Sequence, residues 1–299
     1  MEKLSFDGKV VVITGAGRGL GRSHALAFAE RGALVVVNDI GAGVDGAPLP
    51  DSPALELVQM ITDAGGTAIA DFNDVSTAES AAKIVAHAVD EFGRIDVVVN
   101  NAGILVDRSF PKMTSEDLQR VMNVHFYGSF FVSHAAWPYF KEQGSGRIIN
   151  TTSVAGYLGN FGQANYGSAK AALIGLTRTL AIEGERSGIR VNAVAPGALT
   201  RMTESLIGDL GQRLDPGYVS PVVVMLAHDS CQLNGETLIA AGGRVARLIV
   251  SQNEGAFFSD TLTPEDLVAN LDTVLDTSQP ILVPNVAEEM GLLVAMLNR

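Results

Sequence analysis

Residues 10–21 read VVVITGAGRGLG, an apolar β-branched run followed at once by a glycine-rich turn. The run predicts a buried β-strand, and the chain beyond Gly21 is typical of a helix. Glycines let a backbone turn sharply and approach a pyrophosphate, which the free N–H groups at a helix N-terminus can bind. Because glycine-rich loops also form plain strand–helix turns, the stretch predicts a strand–loop–helix unit and leaves dinucleotide binding as a hypothesis.

Similar apolar runs recur along the chain, separated by helix-length segments. They lie at residues 34–37, 95–99, 147–149 and 189–194. Continuous apolar strands are typical of a parallel sheet that helices cover on both faces. We therefore predict an α/β protein with a Rossmann-type doubly wound parallel sheet, which binds its ligands at the carboxyl ends of the strands.

The alternation of strands and helices does not continue through the C-terminal part of the chain. There, Thr263 and Pro264 precede two acidic residues, a pattern that predicts the start of a helix near residues 264–275. We expect a single domain over residues 1–245. The C-terminal extension over residues 246–299 is too short to be an independent domain.

Composition excludes several classes of protein and site. The chain has 21 Lys+Arg against 33 Asp+Glu, and a net charge of -12 disfavours nucleic acid as a partner. The one cysteine, Cys231, excludes an intramolecular disulfide, and the histidines show no metal-ligand spacing, so we expect no metal site. No stretch approaches the roughly 18 apolar residues of a membrane span, and no secretory signal is present. We expect a cytoplasmic protein without a membrane partner.

A carboxylate and a guanidinium near the glycine loop favour different dinucleotides. Asp39 closes the second strand, where its carboxylate can accept hydrogen bonds from an adenosine ribose. Arg18, within the loop, could instead bind the 2′-phosphate of NADP. We expect Asp39 to dominate, because it would lie beside the 2′ position whereas Arg18 can swing into solvent. The sequence thus predicts NAD as the cofactor.

Tyr166 and Lys170 are four residues apart and would lie on one face of a helix. A tyrosine with its ordinary pKa near 10 is a poor acid or base at neutral pH. A nearby ammonium favours the phenolate, so we expect Lys170 to lower the pKa of Tyr166. Ser153 ends an earlier strand, where its hydroxyl could bind a carbonyl or alcohol oxygen. These three residues are the candidate catalytic group.

Taken together, these motifs resemble those of the short-chain dehydrogenase/reductase family. Its Thr-Gly-x-x-x-Gly-x-Gly signature is matched from Thr14 to Gly21, its Asn-Asn-Ala-Gly motif at residues 100–103, and its Ser, Tyr and Lys in type, order and spacing. The resemblance covers roughly residues 5–245. It implies a homodimer or homotetramer and the following cofactor-binding residues: Gly15, Arg18, Gly19, Leu20, Gly21, Asp39, Asp74, Val75, Asn100, Ala102, Gly103, Tyr166, Lys170, Pro196 and Gly197.

The resemblance leaves one catalytic position open. The family usually completes a tetrad with an asparagine on the preceding helix, where this chain has His125. Asn123 is a poor substitute, because residues two apart on a helix face different directions. His125 could hold a water by a ring nitrogen and continue a proton relay. Equally, it could be a core histidine that hydrogen-bonds a backbone carbonyl.

His125, the Asp107–Phe110 run and the Thr263-Pro264-Glu265 helix start are similar to one subgroup of the family. It comprises the (3R)-hydroxyacyl-CoA dehydrogenase modules of peroxisomal multifunctional enzymes of type 2, also called 17β-hydroxysteroid dehydrogenase type 4, and related stand-alone bacterial reductases. This resemblance implies an NAD-dependent oxidoreductase of lipid metabolism that acts on a 3-hydroxyacyl-CoA. A hydroxysteroid or another bulky secondary alcohol is the alternative substrate.

Two hypotheses from other classes remain open on the sequence. A regulator could bind NAD(H) as a sensor without turning it over, although a sensor has no need of Ser153, Tyr166 and Lys170 together. The C-terminal extension could instead be an interaction arm and oligomer contact.

Overall fold

Eight strands of the described chain form one sheet. They are β1 (Val10–Thr14), β2 (Leu34–Asn38), β3 (Thr67–Asp71), β4 (Val97–Asn100), β5 (Gly146–Thr151), β6 (Ile189–Gly197), β7 (Thr237–Ala241) and β8 (Arg244–Arg247). Their order is β3-β2-β1-β4-β5-β6-β7-β8; β1 to β7 run parallel, and only β8 is antiparallel to its neighbour. The order reverses between β1 and β4, which makes the carboxyl ends of these strands the expected ligand site. The predicted doubly wound parallel sheet is confirmed.

This computed structural model describes residues 3–43, 52–198, 214–258 and 261–297. The chain divides into two compact units, residues 1–247 and 248–299. From the sequence we expect three segments near residues 105–110, 157–163 and 198–218 to form the substrate pocket, and the third lies largely outside the described residues.

Helices of the first unit connect the strands. They are α1 (Gly19–Ala29), α2 (Pro53–Asp63), α3 (Ala78–Phe92), α4 (Ser115–Met122), α5 (Gly128–Gln143), α6 (Ala155–Leu158), α7 (Ala164–Gly184) and α8 (Ser220–Ala227). One π-helical turn, Asn123–Tyr127, joins α4 to α5. Side-chain caps fix the N-termini of α2, α3 and α4. Ser52, Thr77 and Thr114 each accept a hydrogen bond from a backbone N–H in the first turn of the helix that follows.

The strands are apolar on both faces because each face has its own core. In β1, Val11 and Ile13 pack with α1, α2 and α8, whereas Val10 and Val12 pack with α3 and α5. Successive side chains of a strand point to opposite faces, so a strand covered on both sides must be apolar throughout. This explains why the continuous valine and isoleucine runs predicted five of the strands.

Three strands lack such a run. β3 reads TAIAD, β7 reads TLIAA, and β8 reads RVAR with exposed arginines at both ends. β8 is an edge strand with little to bury, so its sequence carries no apolar signal.

The second unit contains three helices in its described part: α9 (Pro264–Ala269), α10 (Leu271–Val274) and α11 (Val286–Leu297). Thr263 caps α9, and its capping box with Asp266 accounts for the predicted helix start. The helix predicted near 264–275 is interrupted at Asn270, which gives α9 and α10. No residue from 248 to 297 that the structure describes is buried.

Candidate active site

The glycine loop between β1 and α1 is locked to the turn after β4. The Thr14 hydroxyl accepts hydrogen bonds from the backbone N–H groups of Asn101 and Ala102, both at 3.0 Å. The Asn101 side chain donates back to the carbonyls of Thr14 and Gly15, also at 3.0 Å. Gly15 has φ 61°, and a Cβ there would come within 2.8 Å of the Ala102 Cα. Only glycine allows this approach, so the loop stays open towards a ligand.

Two carboxylates follow the next strands. Asp39, after β2, accepts hydrogen bonds from the backbone N–H groups of Gly17 at 2.9 Å and Gly41 at 2.8 Å. Asp74, after β3, accepts from the backbone N–H and hydroxyl of Ser76 at 2.9 and 2.6 Å. Asp39 therefore also fixes the shape of the glycine loop, a role that its sequence position did not predict.

A cavity of about 590 Å³ runs along these loops to the first two turns of α7. Thirteen of the predicted site residues line it: Gly15, Arg18, Gly19, Leu20, Asp39, Asp74, Val75, Ala102, Gly103, His125, Tyr166, Lys170 and Pro196. The structure thus brings residues from seven separate segments of the sequence together at one edge of the sheet.

Four predicted residues do not line this cavity. Asn100 turns its side chain into the interior, where it donates to Ser133 Oγ and to Asn150 Oδ1, both at 2.9 Å. Gly21 packs against the glycine loop, and Gly197 packs against β7. Ser153 contacts the site through Tyr166. Asn100 and Asn101 face opposite ways because they are neighbours at the end of a strand.

Several lining residues lie outside the predicted set of site residues. They include Asn38, Ile40, Asn73, Asn101, Ile104, Arg120, Asn123 and Thr151. Asn38, Ile40, Asn73 and Asn101 directly adjoin predicted residues, so position alone could have suggested them. Arg120, on the last turn of α4, carries no sequence signal for this site.

Tyr166 and Lys170 share one face of α7, as their spacing predicted. The Ser153 side chain is close enough to the Tyr166 hydroxyl to lower the pKa of the tyrosine by hydrogen bonding. The Lys170 ammonium lies 5.6 Å from the centre of the Tyr166 ring and donates to the Thr151 carbonyl at 2.5 Å. The three candidate catalytic side chains are therefore assembled beside the cavity.

The pKa values of this group differ from the sequence-based expectation. Burial raises the pKa of Tyr166 above its usual value; the Ser153 hydrogen bond lowers it, and the charge of Asp107 raises it again. Burial also lowers the pKa of Lys170 to about 7. We expected Lys170 to lower the pKa of Tyr166, but the pKa of Tyr166 is raised. The reason is that burial penalises the charged forms of both residues.

His125 lies at the π-helical turn, and its imidazole is buried. Nε2 contacts the backbone of Ile104, 2.8 Å from its carbonyl oxygen and 3.1 Å from its nitrogen. The ring stacks edge-on against Tyr166, with 5.2 Å between centroids, and Nδ1 has no hydrogen-bond partner. Burial and the charge of Lys170 hold the pKa of His125 well below its usual value. A neutral imidazole is therefore held by one nitrogen against Tyr166.

The residues present fit a bound dinucleotide. Gly19 and Leu20, the first residues of α1, line the cavity together with the glycine loop, and the N-terminus of a helix suits a pyrophosphate. Asp39 and Asp74 lie at one end, and Tyr166 with Lys170 at the other. The volume lies within the range of small-molecule sites, roughly 300–1,000 Å³.

In the described ranges, no cluster of three or more His, Cys, Asp or Glu side chains could hold a metal ion. Among those same residues, no helix has the length and apolarity that crossing a membrane requires.

Several known proteins are similar to this chain in sequence and fold. The mouse peroxisomal multifunctional enzyme type 2 is 45% identical over 300 residues, which cover 99% of this chain and 40% of that enzyme. The hydroxyacyl-CoA dehydrogenase ChsB1 of Mycobacterium tuberculosis is 36% identical over 283 residues and is matched over 88% of its length. The structure of the full-length multifunctional enzyme type 2 of Drosophila melanogaster superposes with a TM-score of 0.84 at 40% identity, covering 99% of this chain and 50% of that one.

The chain thus spans half or less of the length of these two multifunctional enzymes. Residues 9–209 match the short chain dehydrogenase family, which covers the glycine loop, the Asn-Asn-Ala-Gly turn and the Ser153, Tyr166 and Lys170 group. By sequence, fold and site, the chain belongs to the short-chain dehydrogenase/reductase family of oxidoreductases.

Proposed function

We propose that this chain is an NAD(H)-dependent dehydrogenase that interconverts 3-hydroxyacyl-CoA and 3-oxoacyl-CoA. The observation that carries the proposal is the assembly of Ser153, Tyr166 and Lys170 at one end of a cavity whose other end carries Asp39. The similarity to a hydroxyacyl-CoA dehydrogenase over most of both chains supports the thioester as substrate.

Each residue of the group has a distinct task in this proposal. The Tyr166 hydroxyl exchanges a proton with the substrate oxygen, and the Ser153 hydroxyl holds that oxygen by a second hydrogen bond. Lys170 binds the cofactor's ribose and, when protonated, favours the tyrosinate. A bound nicotinamide ring would supply the two-electron acceptor for the carbinol C–H. The His125 ring packs edge-on against the Tyr166 ring and is held by its contact with Ile104, which is a structural role.

A substrate panel tests the reaction. The protein is assayed with 3-hydroxyacyl-CoA thioesters of increasing chain length and with hydroxysteroids, and the absorbance of the reduced cofactor is followed. We expect the highest kcat/KM with a thioester. A higher kcat/KM with a hydroxysteroid would show that the substrate is a hydroxysteroid and not a thioester. If the protein binds NADH but turns over no compound of the panel, the result favours a sensor.

Asp39 is the residue that we expect to select NAD over NADP. A 2′-phosphate beside its carboxylate would place like charges together in a partly desolvated cleft, and a net penalty of ~1.4–3 kcal/mol gives roughly a ten- to hundredfold preference for NAD. Asp39→Ser should narrow or reverse the ratio of kcat/KM for NAD over NADP. If the unmodified protein uses NADP as well as NAD, the role assigned to Asp39 is wrong, and Arg18 offsets the penalty on the 2′-phosphate.

We further propose that the protein is a homo-oligomer. Tyr127, at the end of the π-helical turn, and Phe130, on α5, each expose about two-fifths of their surface and form an aromatic cluster with Phe126 and Phe131. Contiguous exposed aromatic surface is typical of a protein interface. We expect this cluster, which we call the α5 aromatic face, to be the contact between copies.

A further inference from the structure

A buried carboxylate lies behind the two cofactor loops that follow β2 and β3. Asp71, the last residue of β3, is 2% exposed and does not line the cavity. Four N–H groups surround its oxygens: Asn38 Nδ2 at 2.7 Å, the Asn73 backbone N–H at 3.0 Å, Asn73 Nδ2 at 2.8 Å and His87 Nδ1 at 2.9 Å. A carboxylate so buried is stable as an anion only with such a set of donors.

The donors come from the segments that hold the adenosine end of the cavity. Asn38 and Asn73 both line that cavity, and Asn38 also donates to the Asn73 carbonyl at 2.8 Å. The backbone N–H of Asp39 donates to the Asp71 carbonyl at 2.9 Å. Asp71 therefore joins the ends of β2 and β3 to the turn that carries Asp74.

The fourth donor comes from elsewhere. His87 lies on α3, and its side chain remains 34% exposed. Since a carboxylate oxygen can only accept a hydrogen bond, His87 Nδ1 carries the hydrogen that is donated in this contact. His87 thus links a surface helix to the cofactor loops through one buried oxygen that Asn73 also uses.

We propose that Asp71 and His87 form a positioning pair that fixes the adenosine half of the cofactor site, so that affinity for that half depends on the His87 donor. This inference rests on the proposed use of NAD(H). Neither residue contacts the reacting atoms, so the pair acts on cofactor binding and leaves the chemical step unchanged.

Binding of cofactor fragments tests the pair without turnover. The dissociation constants of NADH and of ADP-ribose are measured by fluorescence and calorimetry, and kcat is measured at saturating NAD. His87→Leu removes the donor from a half-exposed position, where folding should survive. We expect both dissociation constants to rise about ten- to hundredfold, the effect of losing one hydrogen bond to a charged group, with kcat within twofold.

Two further variants separate the donor from the ring. His87→Asn keeps an N–H donor the same number of bonds from the backbone as Nδ1, and we expect affinities within about twofold of the unmodified protein. Asp71→Asn turns an amide towards the Asn38 amide and should weaken binding more than His87→Leu. Lys83→Leu, one turn earlier on α3, removes only a surface ion pair with Glu79 and is the matched control.

Three outcomes would contradict the proposed role of the Asp71–His87 pair. These are unchanged affinities in His87→Leu, an equal loss in Lys83→Leu, or a fall in kcat as large as the loss of affinity. Failure of the unmodified protein to bind NADH or ADP-ribose would overturn the proposed cofactor as well, whereas normal binding with no effect of His87→Leu would refute the pair alone.

Discussion

At the scale of single residues, the Tyr166 hydroxyl is the only group of the site proposed to exchange a proton with the substrate. Tyr166→Phe keeps the ring and its edge-on contact with His125 but removes that hydroxyl. We expect turnover to fall by roughly 10²–10⁴-fold, the usual effect of one general acid–base group, with nearly unchanged affinity for NADH. Single-turnover kinetics and NADH titration measure the two. A variant that keeps more than a third of the rate, with chemistry rate-limiting, would remove Tyr166 from the mechanism.

Burial of the Lys170 side chain lowers the stability of the folded chain. Its pKa of about 7 lies below the ordinary 10.5, so the unfolded chain binds more protons than the folded chain between these values. Stability therefore rises with pH across that window, and the full penalty applies below pH 7. Such buried charges are typical of functional sites.

Lys170→Met should remove that penalty. We expect the variant to be inactive yet more stable than the unmodified protein at pH 6, by about 1–3 kcal/mol after the loss of the hydrogen bond to Thr151. The difference should shrink as pH rises towards 10. Denaturant unfolding at several pH values measures it. A variant that is less stable at pH 6, or a difference that grows with pH, would show that Lys170 carries no burial penalty.

At the scale of elements, the π-helical turn Asn123–Tyr127 places His125 against Tyr166. Such turns inside α-helices are frequent at functional sites. Since Nε2 is used on Ile104, His125→Asn and His125→Leu should both lower the melting temperature, while the rate per folded molecule stays within about threefold. Calorimetry and active-site-normalised rates measure these quantities. A normal rate in the Asn variant with a collapse in the Leu variant would instead establish a proton relay.

The sequence could predict some of these elements and not others, for physical reasons. The runs at β1, β2, β4, β5 and β6 are visible because both faces of each strand are buried. The π-helical turn has no sequence signature, since it depends on tertiary contacts, among them those with α7. The glycine loop and the pair of Tyr166 and Lys170 are local patterns, so they were readable. The direction of the Asn100 side chain and the pKa of Tyr166 depend on burial by distant segments, so they were not.

At the scale of the whole molecule, the two units differ in what they bury. The first has two cores, one on each face of the sheet. In the second, Val286, Met290, Leu293, Val294 and Leu297 form an apolar stripe on α11 at helical spacing, and each is at least 45% exposed. A segment without buried side chains adds little to the stability of a fold. The first unit should therefore not depend on the second for folding.

Removal of residues 248–299 tests this independence together with the proposed interface. Because both cores and the α5 aromatic face lie within residues 1–247, we expect the truncated chain to keep its melting temperature within about 4 °C and to remain oligomeric. In the full chain, Phe130→Glu places a charge in the α5 aromatic face and should produce monomers, whereas Glu288→Gln on α11 should not. Light scattering gives the mass of each variant and calorimetry its stability. Monomers from the truncated chain, with Phe130→Glu still oligomeric, would move the contact between copies from α5 to the C-terminal extension.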